Sequence, residues 1–124
     1  MKCLIIKVAH QKYALSIEQI IHIVEPVKLE TLPNMPSYIL GALNFHGELI
    51  MAVDLAGLLN IKGSHYDPMR SAMVICQLGE TKFALIFDEV ESVEEFEGNV
   101  ACIMGDQVLL LELDKLVDRE SLHV

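Results

Sequence analysis

The sequence predicts a mainly β protein with a few short helical turns, built from one unit that occurs twice. Short runs of Val, Ile, Leu, Phe and Tyr are separated by Gly, Asn, Asp and Pro, a pattern typical of short strands joined by turns. The order of these runs in the first half of the 124-residue chain recurs in the second half. About five strands in each unit indicate two small barrels, which leave few free sheet edges.

The repeat is visible in two pairs of segments. KYALSIEQIIHIV, starting at Lys12, resembles KFALIFDEVESVE, starting at Lys82. Further along the chain, GELIMAVDLAGLL from Gly47 resembles GDQVLLLELDKLV from Gly105. We therefore predict a single domain with a first strand at residues 3–8, halves at approximately 12–60 and 72–117, and a connection at 61–71.

The turns and helix ends follow from local chemistry. We predict a hairpin closed around Gly79-Glu80 and a turn at Gly105-Asp106, where Gly and Asp tolerate positive φ angles. Several runs are apolar throughout instead of alternating, which predicts strands that are buried on both faces. Asp54 and Asp114 precede Leu-rich stretches and are expected to cap a short helix at the end of each unit.

The composition excludes several classes of protein. The net charge of −9 and the nine Lys and Arg residues do not suit nucleic acid binding, which needs clustered positive charge. Lys, Glu or Asp interrupts every apolar run well before the about 20 residues of a membrane-spanning helix. Only four apolar residues lie between Lys2 and Lys7, too few for a secretion signal. We predict a cytoplasmic protein without direct membrane insertion.

The three cysteines are predicted to be buried, reduced side chains. Cys3, Cys76 and Cys102 are odd in number, widely spaced and free of any C-x-x-C pair. Each lies inside an apolar run, where a thiol behaves as a small hydrophobic group. No disulfide framework is expected.

Nothing in the sequence points to catalysis, a cofactor or a metal. Nucleophile elbows, Gly-rich phosphate loops and H-E-x-x-H helices are all missing from it. His22 and Glu25 are three residues apart, but QIIHIVEP is β-branched and predicts a strand, which sends the two side chains to opposite faces. His65, Tyr66 and Asp67 have the composition of a surface loop. We predict a protein that is not an enzyme.

The acidic segment at residues 88–98 is the densest charge feature of the chain. Its apolar residues Val90, Val93 and Phe96 alternate with carboxylates. We interpret this segment as a solvated outer face or sheet edge, where charge discourages aggregation. The alternative is an electrostatic patch that steers a basic partner.

The residues from Tyr13 to Leu55 resemble the CheW-like domain of bacterial chemotaxis coupling proteins. The resemblance is carried by a Leu-Pro pair, two fixed Gly spacings and a closing Asp-Leu, here Leu32-Pro33, Pro36 to Gly41, Asn44 to Gly47 and Asp54-Leu55. KFALIFDEVESV resembles the second-half strand pair of the family, and GDQVLLLELDKLV its last strand and closing helix. Pro33 and Pro36 disfavour helix before them, while Gly41 and Gly47 suit a bulge or tight turn.

The resemblance implies a fold of two small SH3-like five-stranded barrels and an adaptor without catalysis. Such scaffolds join the cytoplasmic tip of a methyl-accepting chemoreceptor to the regulatory domain of a histidine kinase in two-component signal transduction. Barrel ends would pair with the kinase domain, and an apolar groove between the barrels would take the helical hairpin of the receptor.

The sequence departs from the family pattern at several places. His46 lies where most members have Arg, His22 where Glu is usual, and Met51 where many have Pro. Residues 97–99 replace a longer stretch in the second half. Arg carries a permanent charge, whereas the charge of His changes near neutral pH. His46 and His22, the two of these positions that the resemblance implies face a partner, are therefore altered.

We predict a partner-binding site from the resemblance and the departures. Its candidate residues are Ile20, His22, Leu43, Asn44, His46 and Gly47. Exposed apolar patches are expected near Ile20, Leu43 and Ile50. Strand alternation is expected to place Phe45 and His46 on opposite faces, with Phe45 in the core.

Two other functions remain open. A diverged CheW-like paralogue would act as a competitor or serve a non-motility pathway. A small β-barrel sensor would hold a ligand or metal with His22, His46 and His65, whose nitrogens would have to converge within coordination distance. If none of these functions applies to His46, it is an exposed turn residue.

Overall fold

The structure is a computed structural model, and it describes residues 1–25, 27–61, 67 and 69–122. The strands of the first half are β1 (Lys2–Val8), β2 (Gln11–Ser16), β3 (Ile20–Val24), β4 (Ile39–Phe45) and β5 (Glu48–Asp54), followed by helix α1 (Leu55–Leu58). Those of the second half are β6 (Ala72–Leu78), β7 (Thr81–Phe87), β8 (Glu89–Glu95), β9 (Val100–Ile103) and β10 (Asp106–Leu110), followed by helix α2 (Leu113–Leu116). Short 3-10 turns lie at Ile17–Gln19 and Arg119–Leu122.

The strands form two five-stranded sheets that exchange strands between the halves. Sheet A has the order β8-β1-β2-β10-β9, and sheet B has the order β3-β6-β7-β5-β4. Each sheet contains the first two strands of one half of the chain and the last three strands of the other half. The exchange creates the two parallel pairs, β2 with β10 and β5 with β7. The predicted mainly β fold of two five-stranded barrels is confirmed, but the sequence did not indicate this exchange.

Three apolar clusters hold the sheets together. One lies between the sheets and contains Leu4 and Ile6 from sheet A together with Phe83 and Leu85 from sheet B. A second lies within sheet B and a third within sheet A. Strand β1 shows why its apolar run does not alternate: Leu4 and Ile6 face the central cluster, whereas its neighbour Ile5 faces the inside of sheet A. The predicted burial on both faces is confirmed.

The predicted hairpin and the predicted turn are both present. β6 and β7 pair in antiparallel fashion with Leu78 opposite Thr81, so the turn lies at residues 79–80 as predicted. β9 and β10 pair with Ile103 opposite Asp106. Their turn has φ angles of 50° at Met104 and 87° at Gly105, so it begins one residue earlier than the sequence indicated.

The helix ends differ from prediction in one respect. Both short helices are present, and Asp54 occupies the N-cap position of α1. Its side chain makes no capping hydrogen bond in the described chain, however, and α2 begins before Asp114 with Glu112 at its N-cap. The predicted capping by aspartate is therefore wrong. Each helix has only four residues and follows a strand closely, so packing of Leu55 and Leu113 in the central cluster positions it instead.

The cysteine prediction is confirmed for two residues and wrong for the third. Cys3 and Cys76 are completely buried, whereas Cys102 is exposed. Cys102 lies on β9, an edge strand of sheet A, where Ala101 and Ile103 pack inward and the alternate positions point outward. An apolar run on an edge strand therefore gave a misleading signal of burial.

The acidic strand β8 forms an edge of sheet A, and its Val90 and Val93 are exposed, in agreement with the interpretation as a solvated edge. Phe96, which follows β8 directly, is buried instead. His65 and Tyr66 of the predicted surface loop lie outside the described residues. In the chain that is described, no helix is both long and apolar enough to cross a membrane.

Candidate functional site

The turn between β4 and β5 presents His46 to solvent. His46 and Gly47 have φ angles of 51° and 86°, the left-handed backbone typical of a tight hairpin turn. The amide N–H of Gly47 donates a hydrogen bond to Oδ1 of Asn44 at 3.0 Å, which closes the turn. Asn44 and Gly47 therefore shape the turn, and His46 is the side chain that it displays.

His22 lies next to this turn, although it is distant in sequence. The ring centroid of His22 is 5.6 Å from that of Phe45 and 6.1 Å from that of His46. The rings of Phe45 and His46 stack, with centroids 4.2 Å apart and planes inclined by 20°. We call these three residues the histidine cluster. β3 and β4 are the two outer strands of sheet B, so the cluster forms where the two edges of the curled sheet approach each other.

The expected separation of Phe45 and His46 onto opposite faces is wrong. Alternation holds for extended backbone, and the left-handed φ of His46 turns its ring back onto Phe45. Phe45 is half-buried and packs against the cluster inside sheet B, so it is partly a core residue and partly the support for an exposed histidine. The sequence gave no local signal for this stacking.

The exposed apolar side chains lie beside the residues named from the sequence and not at those residues. Leu43 and Ile50 are only 6% and 4% exposed and pack inside sheet B, whereas Leu49, next to Ile50, is 44% exposed. Ile20 is half-buried against the central cluster. The outward positions of β3 belong instead to Ile21 and Ile23, and Ile23 is 62% exposed. We call Ile21 and Ile23 the β3 surface. In the sequence, the pattern that could have indicated this surface is the pair of isoleucines on either side of His22.

Two shallow clefts lie at equivalent positions over the parallel strand pairs. The cleft beside β5 and β7 has a volume of about 400 Å³ and contains an ion pair of Lys82 with Glu48 at 3.1 Å. The cleft beside β2 and β10 has about 310 Å³ and contains an ion pair of Lys12 with Asp106 at 2.8 Å. That hydrogen bond raises the pKa of Lys12 and lowers the pKa of Asp106. Both ion pairs are accessible to water, which screens them.

The described part of the chain contains no group of three or more His, Cys, Asp or Glu side chains that could hold a metal ion. Of the three histidines in the sensor hypothesis, His22 and His46 are adjacent and His65 lies outside the described residues. His22 and Glu25 are therefore not part of any such group among the described residues. His22 and His46, two of the positions at which the resemblance implies a different residue, thus lie next to each other.

Comparisons with known proteins agree with this architecture. The family model described as CheW-like domain matches residues 2–101. The chemotaxis protein CheW of Rhizobium meliloti (strain 1021) is 22% identical over 134 residues, which cover 93% of this chain and 86% of that protein. The crystal structure of the scaffolding protein TtCheW from Thermoanaerobacter tengcongensis superimposes with a TM-score of 0.80 at 22% identity, covering 90% of this chain and 84% of that one. At this identity the structural likeness establishes a shared fold.

Proposed function

Because this chain belongs to the CheW-like domain family, we propose that it is a non-enzymatic adaptor in bacterial chemotaxis-type signalling. In this role it couples chemoreceptors to a histidine kinase through protein–protein contacts. The family match over residues 2–101 is the observation that carries the proposal. The named relatives, a chemotaxis protein and a scaffolding protein, support it.

The exposed residues of sheet B supply a surface suited to a protein partner. Ile21 and Ile23 present apolar side chains on an edge strand, and burial of one such side chain stabilises a complex by about 1.5–3 kcal/mol. His22 of the histidine cluster lies on the same strand, and the cluster adds ring faces and hydrogen-bonding nitrogens beside it. We assign this region to the kinase regulatory domain, and a separate surface, which the resemblance implies lies between the two barrels, to the helical hairpin of the receptor tip.

The second candidate is a diverged family member that competes with the usual adaptor. The connection between β8 and β9, which consists only of residues 96–99, favours it. The two histidines agree with it, because the resemblance implies a charged residue at each of their positions. An adaptor that has kept one binding surface and lost the other would occupy the kinase or the receptor without joining them.

Solution binding separates the two candidates. The purified chain is titrated with a kinase regulatory domain and with a receptor-tip helical hairpin, first separately and then together. The adaptor predicts micromolar binding to both without mutual exclusion, whereas the competitor predicts binding to only one. Failure to bind either partner would contradict both proposals and leave the fold intact.

A pair of matched variants tests the assigned surface. Ile23→Ser removes an apolar side chain from the β3 surface, whereas Val100→Ser removes one that is 53% exposed on β9 of the other sheet. We expect Ile23→Ser to weaken kinase-domain binding about tenfold and Val100→Ser to leave it unchanged. Equal effects of the two variants would contradict the assignment.

Acidification provides a further check on the histidine cluster. If His22 or His46 contacts an acidic partner surface, protonation adds a favourable charge and the affinity rises as the pH falls from about 8 to about 6. We expect His46→Gln to flatten this dependence. A dissociation constant that is independent of pH in both the wild type and the variant would contradict a contact of this kind.

A further inference from the structure

We propose that His22 and His46 form a two-histidine binding site for a divalent transition-metal ion of the zinc type. The site lies where β3 meets the turn between β4 and β5. It overlaps the surface assigned to the kinase regulatory domain, but the inference does not depend on the adaptor function. Imidazole nitrogen is a preferred ligand of Zn²⁺, Cu²⁺ and Ni²⁺, whereas Mg²⁺ and Ca²⁺ prefer oxygen. The inference rests on the separation, orientation and support of the two rings.

The separation of the rings suits a shared metal ion. An imidazole nitrogen lies about 1.1 Å from its ring centroid and a Zn–N bond measures about 2.0–2.1 Å, so two imidazoles on one ion have centroids about 5–6.4 Å apart. The observed separation of His22 and His46 is 6.1 Å, within this range. Their planes are inclined by 65°, an edge-to-face arrangement and not a parallel stack. A tetrahedral angle needs a separation of about 5.2 Å, which rotation of the exposed His22 side chain supplies while His46 stays stacked on Phe45.

The third ring of the cluster does not block the site. The three centroid distances of 4.2, 5.6 and 6.1 Å define a triangle, and the law of cosines gives an angle of about 75° at Phe45. The phenyl ring therefore lies to one side of the line between the two imidazoles. It stacks on His46 and packs against the cluster inside sheet B, which restricts the orientation of that imidazole. Restricting a ligand before it binds reduces the entropic cost of chelation.

Both ligands project from ordered backbone. His22 is paired with Ile75 in the antiparallel ladder of β3 and β6. His46 is held by the turn that the hydrogen bond from Gly47 to Asn44 closes. Both imidazoles are exposed, so water can fill the remaining coordination positions. Because no third His, Cys, Asp or Glu ligand joins them in the described chain, the site is expected to bind reversibly.

The neighbouring charges are consistent with such a site. Glu48 follows the turn, but its carboxylate is engaged with Lys82 at 3.1 Å and acts as a partner of that ammonium group. The chain as a whole carries a net charge of −9, which raises the local concentration of cations.

The test uses the full chain without a histidine tag. Isothermal titration with Zn²⁺ is compared for the wild type, His22→Gln, His46→Gln and His10→Gln. His10 is an exposed histidine in the turn between β1 and β2, so it serves as the matched control. We expect each cluster variant to weaken Zn²⁺ binding at least about tenfold, because loss of either ligand ends chelation, and the control to bind like the wild type.

Paramagnetic Ni²⁺ locates the site independently of affinity. We expect it to broaden the amide NMR signals of β3 and of the turn between β4 and β5 before those of other residues. Unchanged binding in His22→Gln or in His46→Gln would overturn the proposal, as would an equal loss in His10→Gln. The absence of Zn²⁺ binding by the wild type up to about 1 mM, a free energy of about −4 kcal/mol, would also overturn it. Partner binding is measured with a chelator present, so failure of the adaptor proposal is distinguished from failure of this one.

Discussion

At the scale of single residues, Gly41 shows how one position can require glycine for steric reasons. Its φ of 155° lies in a region that side chains rarely adopt, and a Cβ there would collide with the carbonyl oxygen of Glu30. That carbonyl accepts a hydrogen bond from the N–H of Ala42 at 2.9 Å, so it cannot move away without breaking the bridge between the two segments. Gly98 also has a positive φ, of 73°, but nothing lies within 4 Å of a Cβ placed on it.

The two glycines predict different losses of stability. We expect Gly41→Ala to lower the free energy of unfolding by about 3 kcal/mol, because the clash adds to backbone strain. Gly98→Ala should lower the free energy of unfolding by about 1–2 kcal/mol, from backbone strain alone. Urea unfolding of both variants measures the difference, and equal losses would contradict the steric role of the Glu30 carbonyl.

Also at the residue scale, the three thiols are predicted to differ in reactivity. Burial raises the pKa of Cys76 to about 12, and burial is the largest cause of the raised pKa of Cys3. A raised pKa leaves less of the reactive thiolate at a given pH, and the folded chain also blocks access to both sulfurs. Cys102 is exposed.

We therefore expect one fast-reacting thiol per folded chain near pH 8 in a colorimetric disulfide-exchange assay, and three after denaturation. Cys102→Ser should remove the fast reaction and leave the two slow thiols. Persistence of a fast thiol in this variant would contradict the burial of Cys3 or Cys76.

The residue scale is also where prediction from sequence was least complete. The turn at Asn44 to Gly47 could be anticipated from its composition, because Asn and Gly tolerate left-handed backbone. The contact of His22 with His46 could not, since it depends on the curling of sheet B that brings its outer strands together. The predicted orientation of Phe45 relative to His46 was wrong because strand alternation was applied to His46, which lies one residue beyond the end of β4.

At the scale of elements, the two sheets close around different aromatic residues. In sheet A, Phe96 from the connection between β8 and β9 is only 2% exposed and packs beside Cys3 and Ile5. In sheet B, Phe45 at the end of β4 is half-buried, and histidines cover its outer side. The short connection of the second half thus supplies a core residue, which ties it to the interior of its sheet.

Alanine substitution should separate these two roles. We expect Phe96→Ala to lower the free energy of unfolding by about 3–5 kcal/mol, as for a fully buried phenyl ring. Phe45→Ala should cost about half as much, because part of its ring is already in contact with water. Thermal and urea unfolding measure both losses. A larger loss for Phe45→Ala would show that the histidine cluster holds sheet B closed.

Elements were predicted better than their ends. The hairpins and both helices follow from apolar runs and turn residues, which act over a few neighbouring positions. The prediction that Asp54 and Asp114 cap the two helices was wrong. Helices of four residues are held by tertiary packing, which outweighs the local preference for an N-cap residue. The predicted burial of Cys102 was wrong for a related reason, since an edge strand can have the same apolar composition as a central strand.

At the scale of the whole molecule, the exchange of strands makes the two halves interdependent. The sequence repeat shows two equivalent units, but closed separate units and exchanged units satisfy the same pattern of apolar residues. In the exchanged arrangement every cluster draws on both halves: Ala14 meets Val108 within sheet A, and Ile50 meets Ile75 within sheet B. Neither half contains a complete sheet.

Cutting the chain in the connection should therefore give two fragments that need each other. Residues 1–61 carry β1 to β5, and residues 67–124 carry β6 to β10. We expect each fragment alone to lack a cooperative unfolding transition, because its share of all three clusters would face water. An equimolar mixture should recover the circular dichroism spectrum and the dispersed amide NMR signals of the intact chain. If either fragment unfolded cooperatively alone, each half would be able to close on itself, and the observed exchange would be one of two stable arrangements.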